Sequence, residues 1–235
     1  DSAEAAKEER LVPLGLLAAA SIACTGETSA EGQAGQPQGK YRAGAQAPTQ
    51  DARPFQVTPV ADFEAPWAMT FLPDGRMLVT EKAGRLMLVS ADGQLKQAIS
   101  GVPAVDSEGQ GGLMDVAPAP DFATSGQVYL SFAEAGAGGA STALGRGRLG
   151  DGRIEEFAVV FRQEPKVSGH NHFGNRIVFA PDGRLFLALG ERFKFDPAQD
   201  LADHLGTVVR LEPDGSVPGD NPFVGREGAR PEIWS

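Results

Sequence analysis

From Trp67 onward the apolar residues come in short bursts that alternate with polar ones and are broken by Pro, Asp and Gly. Trp67, Met69 and Phe71 fall at every second position, as do Leu86 and Leu88, which is the period of a strand with one face turned inward. Three stretches repeat one plan: WAMTFLPDGRMLVTEKAGRLMLVSADG from Trp67, GLMDVAPAPDFATSGQVYLSFAE from Gly112, and NRIVFAPDGRLFLALGER from Asn175. Each is a short apolar strand, a Pro-Asp pair and a second apolar strand. The pairs Pro73-Asp74, Pro120-Asp121 and Pro181-Asp182 lie 47 and 61 residues apart. Pro presets φ for the first turn position, Asp caps the turn with its carboxylate, and Gly takes the φ > 0 position. Asp92-Gly93 and Asp214-Gly215 mark further turns.

A repeat of this length, made of short strands, predicts the blades of a β-propeller. The fold class expected is therefore all-β, a propeller cut to about three blades plus the start of a fourth, with PEIWS at 231–235 opening that fourth unit. A β-sandwich with Asp-Gly hairpins is the competing architecture, but it does not need the same turn at blade-sized intervals. Three blades cannot close a ring. The chain is thus expected to be an N-terminal fragment, inactive alone, with residues 55–60 as an edge strand. Met69, Met77, Met87 and Phe179 are assigned to the core.

Upstream the pattern changes. Residues 11–24, LVPLGLLAAASIAC, form an apolar run behind Lys7 and Arg10 that is too short to span a bilayer and suits a signal peptide. Ser21 and Ala23 ahead of Cys24 resemble a bacterial lipoprotein signal, which implies lipidation of Cys24; an ordinary cleaved signal with an incidental cysteine is the alternative. Residues 24–54 contain no Leu, Ile, Val, Phe or Trp and cannot bury enough apolar surface to fold. The expected organisation is a signal peptide at 1–23, a flexible tether at 24–54 and a partial propeller at 55–235. The product is exported to the periplasm or cell envelope, with membrane contact only through the lipid anchor.

Composition narrows the partners. A net charge of −10 without a Lys/Arg cluster argues against nucleic acid. A single cysteine excludes an internal disulfide. The 30 glycines and 17 prolines fit many tight turns rather than long helices.

The unusual residues sit where blade topology makes them converge. The loop before an innermost strand and the loop between second and third strands reach the same rim near the axis. His170 and His172 occupy the first kind of loop, Gln110 occupies its equivalent one blade earlier, and Glu191 and Arg192 fall in the second kind. Converging polar residues at a concave mouth make a candidate binding site. His170 and His172 could instead pair on a metal, with only His204 as a further nitrogen ligand, and His204 reads better as a packed residue. Arg176 could simply pair with an acid at a strand start, Gln110 could brace its own loop, and Glu191 reads as a supporting or solvated carboxylate.

GQGGLMDVAPAPDF, HFGNRIVFAPDGRLF and GTVVRLEPDGSVPGDNPF together resemble the soluble quinoprotein glucose dehydrogenases, especially their aldose sugar dehydrogenase branch, from about Pro66 to Ser235. The resemblance implies a six-bladed propeller that uses pyrroloquinoline quinone (PQQ) with calcium to oxidise the anomeric hydroxyl of aldoses to lactones, passing electrons to an acceptor. It implies His172, four residues before Arg176, as the catalytic base, and Gln110 as a sugar contact. Asn171 stands where the best-known member has Asp and is placed with the sugar; Arg192 stands where that member has Gln and is placed with the quinone. No metal ligand is assigned in this stretch, and the calcium ligands are expected beyond residue 235. Two other functions stay open: a non-catalytic envelope propeller binding carbohydrate or protein, and a calcium-dependent lactonase, for which only Asp115 offers a suitably placed carboxylate.

Overall fold

The computed structural model describes residues 54–235. The expected signal peptide, the tether up to residue 53 and Cys24 lie outside these residues. Val57–Ser235 forms one compact unit, and everything below concerns it.

Three antiparallel sheets carry the unit, each with its strands in chain order. The first holds β1 (Pro66–Phe71), β2 (Met77–Glu81), β3 (Arg85–Val89) and β4 (Lys96–Ile99). The second holds β5 (Leu113–Pro118), β6 (Gln127–Gly136), β7 (Gly139–Leu149) and β8 (Ile154–Arg162), and the third holds β9 (Gly174–Phe179), β10 (Leu185–Leu189) and β11 (Val208–Leu211). These are three blades of a β-propeller. Helix is confined to one turn, α1 (Phe122–Ser125), and a 3-10 turn at Asp196–Gln199.

Alternation decides which side chain packs where. Along β6, Val128, Leu130 and Phe132 face the first sheet and join Leu72, Leu78, Leu86 and Ile99. Tyr129 faces the third sheet and joins Ile177, Leu185, Leu187, Val209 and Leu211. A strand covered on both faces loses most if truncated: burial of a Leu contributes about 1.5–3 kcal/mol, and Leu130 is fully buried. Polar groups between sheets are mostly partnered, with the buried Gln127 side-chain oxygen an exception among the described residues. The Thr80 hydroxyl donates to the Met114 carbonyl at 2.5 Å, and that of Ser131 to the Asn175 carbonyl at 2.9 Å.

Three expectations need correction. Residues 55–60 form no strand; instead Phe63 covers Met77, Val79 and Val89. PEIWS does not stand apart as a new sheet. Ile233 bridges Val209, and the Arg210 N–H donates to the Glu232 carbonyl at 2.9 Å, so this stretch takes the outer place beside β11, where Ile233 is fully buried. Met69 is 50 % exposed, because β1 turns Trp67, Met69 and Phe71 to the free face of its sheet. Met77 is buried as expected.

Antiparallel connection in chain order gives each sheet two rims. The Pro73-Asp74, Asp92-Gly93, Pro181-Asp182 and Asp214-Gly215 turns lie on one. The starts of β5 and β9 and the segment between β10 and β11 lie on the other, and that rim carries the polar cluster.

Candidate active site

Three segments meet on this second rim: the loop into β5, the loop into β9, and the start of the segment after β10. The Gln110 N–H donates to the His170 carbonyl at 2.6 Å, and its side-chain oxygen accepts the His172 N–H at 2.7 Å. That anchor holds His172 at φ 54, a left-handed conformation that non-glycine residues rarely adopt. The imidazole is half exposed, and its Nδ1 lies 2.5 Å from a Glu191 carboxylate oxygen. A carboxylate on Nδ1 selects the tautomer with the proton on that nitrogen and leaves Nε2 as the acceptor.

Glu191 does more than orient the ring. Its second oxygen accepts the N–H groups of Lys194 at 2.5 Å and Phe195 at 3.0 Å. Burial alone would raise this carboxyl, but the bonds from the Phe195 N–H, the His172 ring and the Lys194 N–H outweigh it and hold it below the ordinary glutamate range.

His170 faces elsewhere. Its Nδ1 is 3.1 Å from Asp106 and its Nε2 3.3 Å from Glu108, so both ring nitrogens are engaged by carboxylates and the two histidines do not converge. His204 is buried, accepts the Glu164 N–H on Nδ1 at 3.1 Å and packs edge-on against Phe161. Among the described residues no group of three or more His, Cys, Asp or Glu is placed to hold a metal ion.

Arg192, expected on the quinone, is turned inward. It is 2 % exposed. Nε donates to the Asn171 carbonyl at 2.7 Å, and the two terminal nitrogens donate to the carbonyls of Ala140 and Gly169. The guanidinium lies 3.5 Å from the centre of the Phe173 ring. Burial pushes its pKa below the usual arginine value, partly offset by Asp106 and Glu191. This arrangement clamps the 169–173 loop to β7. Arg176 is the exposed cation: its side chain is 70 % accessible, with one guanidinium nitrogen 3.2 Å from Asp115. Asp115 itself is buried and accepts the Ile177 N–H at 2.8 Å, which fixes the start of β9 and leaves it no catalytic freedom.

An acidic quinone needs cationic partners for its carboxylates. Arg176 and the Lys194 ammonium, which lies 3.3 Å from the Ser168 hydroxyl, are cations of the right kind at this rim. The donor set fits part of such a cofactor.

The structure thus brings Gln110, Asn171, His172, Glu191 and Arg192 together and sets His170 apart. Sequence reasoning overlooked Phe193 and Phe195, which follow on this rim. Their signal was RFKF, two aromatics at alternate positions in a segment without a core to join.

The sequence profile described as Glucose / Sorbosone dehydrogenase matches residues 63–235. The chain is similar to aldose sugar dehydrogenase YliI of Escherichia coli (strain K12), 51 % identical over 174 residues that cover 72 % of this chain and 47 % of that protein. The soluble aldose sugar dehydrogenase of Escherichia coli in its apo-form superposes with a TM-score of 0.70 at 48 % identity, over 73 % of this chain and 50 % of that one. The PQQ-bound aldose sugar dehydrogenase of Streptomyces coelicolor superposes with a TM-score of 0.65 at 29 % identity, over 75 % of this chain and 52 % of that one. The chain spans about half the length of the curated relatives it matches.

Proposed function

The chain belongs to the glucose/sorbosone dehydrogenase family, and on that premise we propose that the full-length protein oxidises the anomeric hydroxyl of an aldose to the lactone, with His172 as general base and PQQ as cofactor. The observation that carries this reading is the 2.5 Å contact between Glu191 and His172 Nδ1. Oxidation removes a hydride from the anomeric carbon and a proton from its hydroxyl, as the C–O bond becomes a carbonyl. An imidazole with Nδ1–H donated to a carboxylate presents Nε2 to that proton, and the same carboxylate stabilises the imidazolium that forms. An unperturbed imidazole titrates near pH ~6.5, so it is an effective acceptor at neutral pH.

The other groups have supporting parts. The Gln110 side-chain oxygen is engaged by the His172 N–H, which leaves its amide N–H groups to donate to a sugar hydroxyl. Asn171 is exposed beside His172 and is a second sugar contact. Arg176 and Lys194 pair with carboxylates of the cofactor. When bound, the quinone supplies the two-electron acceptor, and an external acceptor reoxidises it. No step above uses calcium. Export to the cell envelope, with anchoring through Cys24, completes the reading; it rests on the apolar leader alone.

The test is turnover. Full-length protein loaded with PQQ and calcium, given a panel of aldoses and a dye acceptor, should bleach the dye and release the lactone, followed by NMR. Quinone binding without oxidation of any aldose would overturn it.

A further inference from the structure

Beyond Glu191 the chain adopts an expensive local conformation. Arg192, Phe193 and Phe195 have φ values of 60, 56 and 61, a region that bulky L-residues avoid. Phe193 and Phe195 are nonetheless 53 % and 71 % exposed, so no core burial among the described residues offsets that conformation. Strained backbone that presents side chains to solvent points to a site.

The rings are ordered. Phe193 stacks on the His172 imidazole with centroids 5.4 Å apart and planes 26° apart. Phe195 lies nearly parallel to Phe193, with centroids 6.5 Å and planes 15° apart. Glu191 ties both ends together, since one carboxylate oxygen meets the imidazole and the other accepts the Lys194 and Phe195 N–H groups. Beneath them Arg192 anchors the turn through three backbone carbonyls. The aromatic shelf is therefore fixed relative to the base.

We propose that Phe193 and Phe195 form the aromatic wall of the sugar subsite and take the C–H face of a pyranose whose hydroxyls are equatorial. This rests on the aldose dehydrogenase reading above. The negative face of an aromatic ring attracts polarised C–H groups. Equatorial hydroxyls leave such a face bare, whereas an axial hydroxyl places an oxygen against the ring. His172 must reach the anomeric hydroxyl within hydrogen-bond distance, so the sugar ring lies alongside whatever flanks the imidazole. Phe193 is that flank. The quinone has no such obligation, because it must meet the anomeric C–H rather than the base.

The experiment compares full-length wild type with Phe193→Leu, Phe193→Ala and Phe195→Ala. Saturation-difference NMR reports sugar binding without turnover, using glucose and an epimer with one axial hydroxyl. Steady-state kinetics with saturating quinone report KM and kcat, and fluorescence titration reports quinone affinity. The wall predicts saturation concentrated on one face of glucose in wild type and lost in Phe193→Leu. It predicts KM for glucose raised about tenfold in Phe193→Ala and less in Phe195→Ala, preference over the axial epimer reduced, and kcat and quinone affinity within about threefold. Unchanged sugar binding in both alanine variants would overturn the proposal, and so would weakened quinone binding with sugar binding intact. Wild type that binds sugar on these rings but oxidises none would overturn the dehydrogenase reading and leave the wall standing.

Discussion

On one rim Asp74 accepts the N–H of Arg76 and Asp182 that of Arg184, bonds between residues two apart. On the other, His172 is held by Gln110 and Glu191, 62 and 19 residues away, and Arg192 reaches carbonyls 23 and 52 residues away. The turn rim uses glycine at positive φ, as at Gly75 and Gly183, where glycine adopts that conformation without penalty. The site rim has such glycines too, among them Gly109 and Gly169, but it also puts His172, Arg192 and Phe193 there. A turn closed by its own residues can change without disturbing the rest. A rim held by bonds between distant segments keeps its geometry only as a whole, which is how a base comes to be positioned.

The largest effect tests the centre of the site rim. In the full-length enzyme, His172→Ala should lower kcat by roughly 10² to 10⁴, the usual worth of a general base. Sugar affinity should move much less, because the base acts mainly as the proton leaves. His170→Ala, which removes a ring engaged by Asp106 and Glu108, should be mild by comparison. Steady-state kinetics with a dye acceptor separate the pair; a crippled His170→Ala would move the base to the other histidine.

Arg192→Met keeps bulk but orphans the carbonyls of Ala140, Asn171 and Gly169. Leaving a buried acceptor unpaired costs about 1–3 kcal/mol, and water entering the gap reduces the sum. A loss of roughly 2–4 kcal/mol in denaturant unfolding is expected, with a fall in kcat because the loop that carries His172 is released. Stability lost with kcat unchanged would show that the clamp and the base are independent.

Glu191→Gln keeps the shape and removes the charge. Turnover should fall by roughly 10- to 100-fold, less than in buried triads, because this imidazole is half exposed and partly oriented by its backbone. The acid's pKa is depressed in the folded protein, chiefly by the Phe195 N–H, the His172 ring and the Lys194 N–H acting against burial. The sign follows: its contribution is fully present above the unfolded glutamate value of about 4.3 and is lost as pH falls through the lower folded value. Protection of the Phe195 amide against hydrogen exchange, taken relative to the intrinsic rate at each pH, should fall over that acid range in wild type, and Glu191→Gln should remove that change.

The same contrast explains what was legible in the sequence. The blades were, because Pro-Asp-Gly turns and period-two alternation are local signals, and Leu86, Leu185 and Leu187 are buried as that alternation requires. The expectation for His172 came only from resemblance to a family; alternation alone could not separate it from His170. The inward turn of Arg192 was not legible because its direction is set by carbonyls on other segments. Met69 was misplaced because an apolar strand face says nothing of whether a neighbour covers it. Phe193 and Phe195 alternate, but the sequence did not say which way the pair faces, since their positions follow from a turn held by Glu191. Ile233 was assigned to a new sheet because its partner Val209 lies across a segment rich in Gly and Pro that carries no strand pattern.

The smallest effect belongs to the turn rim. Asp74 accepts the Arg76 N–H at 3.0 Å and the Arg76 Nε at 2.8 Å, yet its side chain is 52 % exposed, so solvent screens the ion pair. Asp74→Ala should shift unfolding by no more than about 1 kcal/mol and leave kcat unchanged. The Arg76 side-chain and backbone bonds hold the Asp74 carboxyl below the ordinary aspartate range, so what stability it contributes is present above about pH 3.9 and lost on further acidification. Gly75→Ala should cost somewhat more, about 1–2 kcal/mol, because φ there is +85 although the added methyl meets only Ala91 at 3.5 Å. Both variants should keep the KM and kcat of the parent. If Asp74→Ala lowered kcat tenfold, strain would pass along β1 and β2 from one rim to the other, and the two rims would have to be treated as a single cooperative unit.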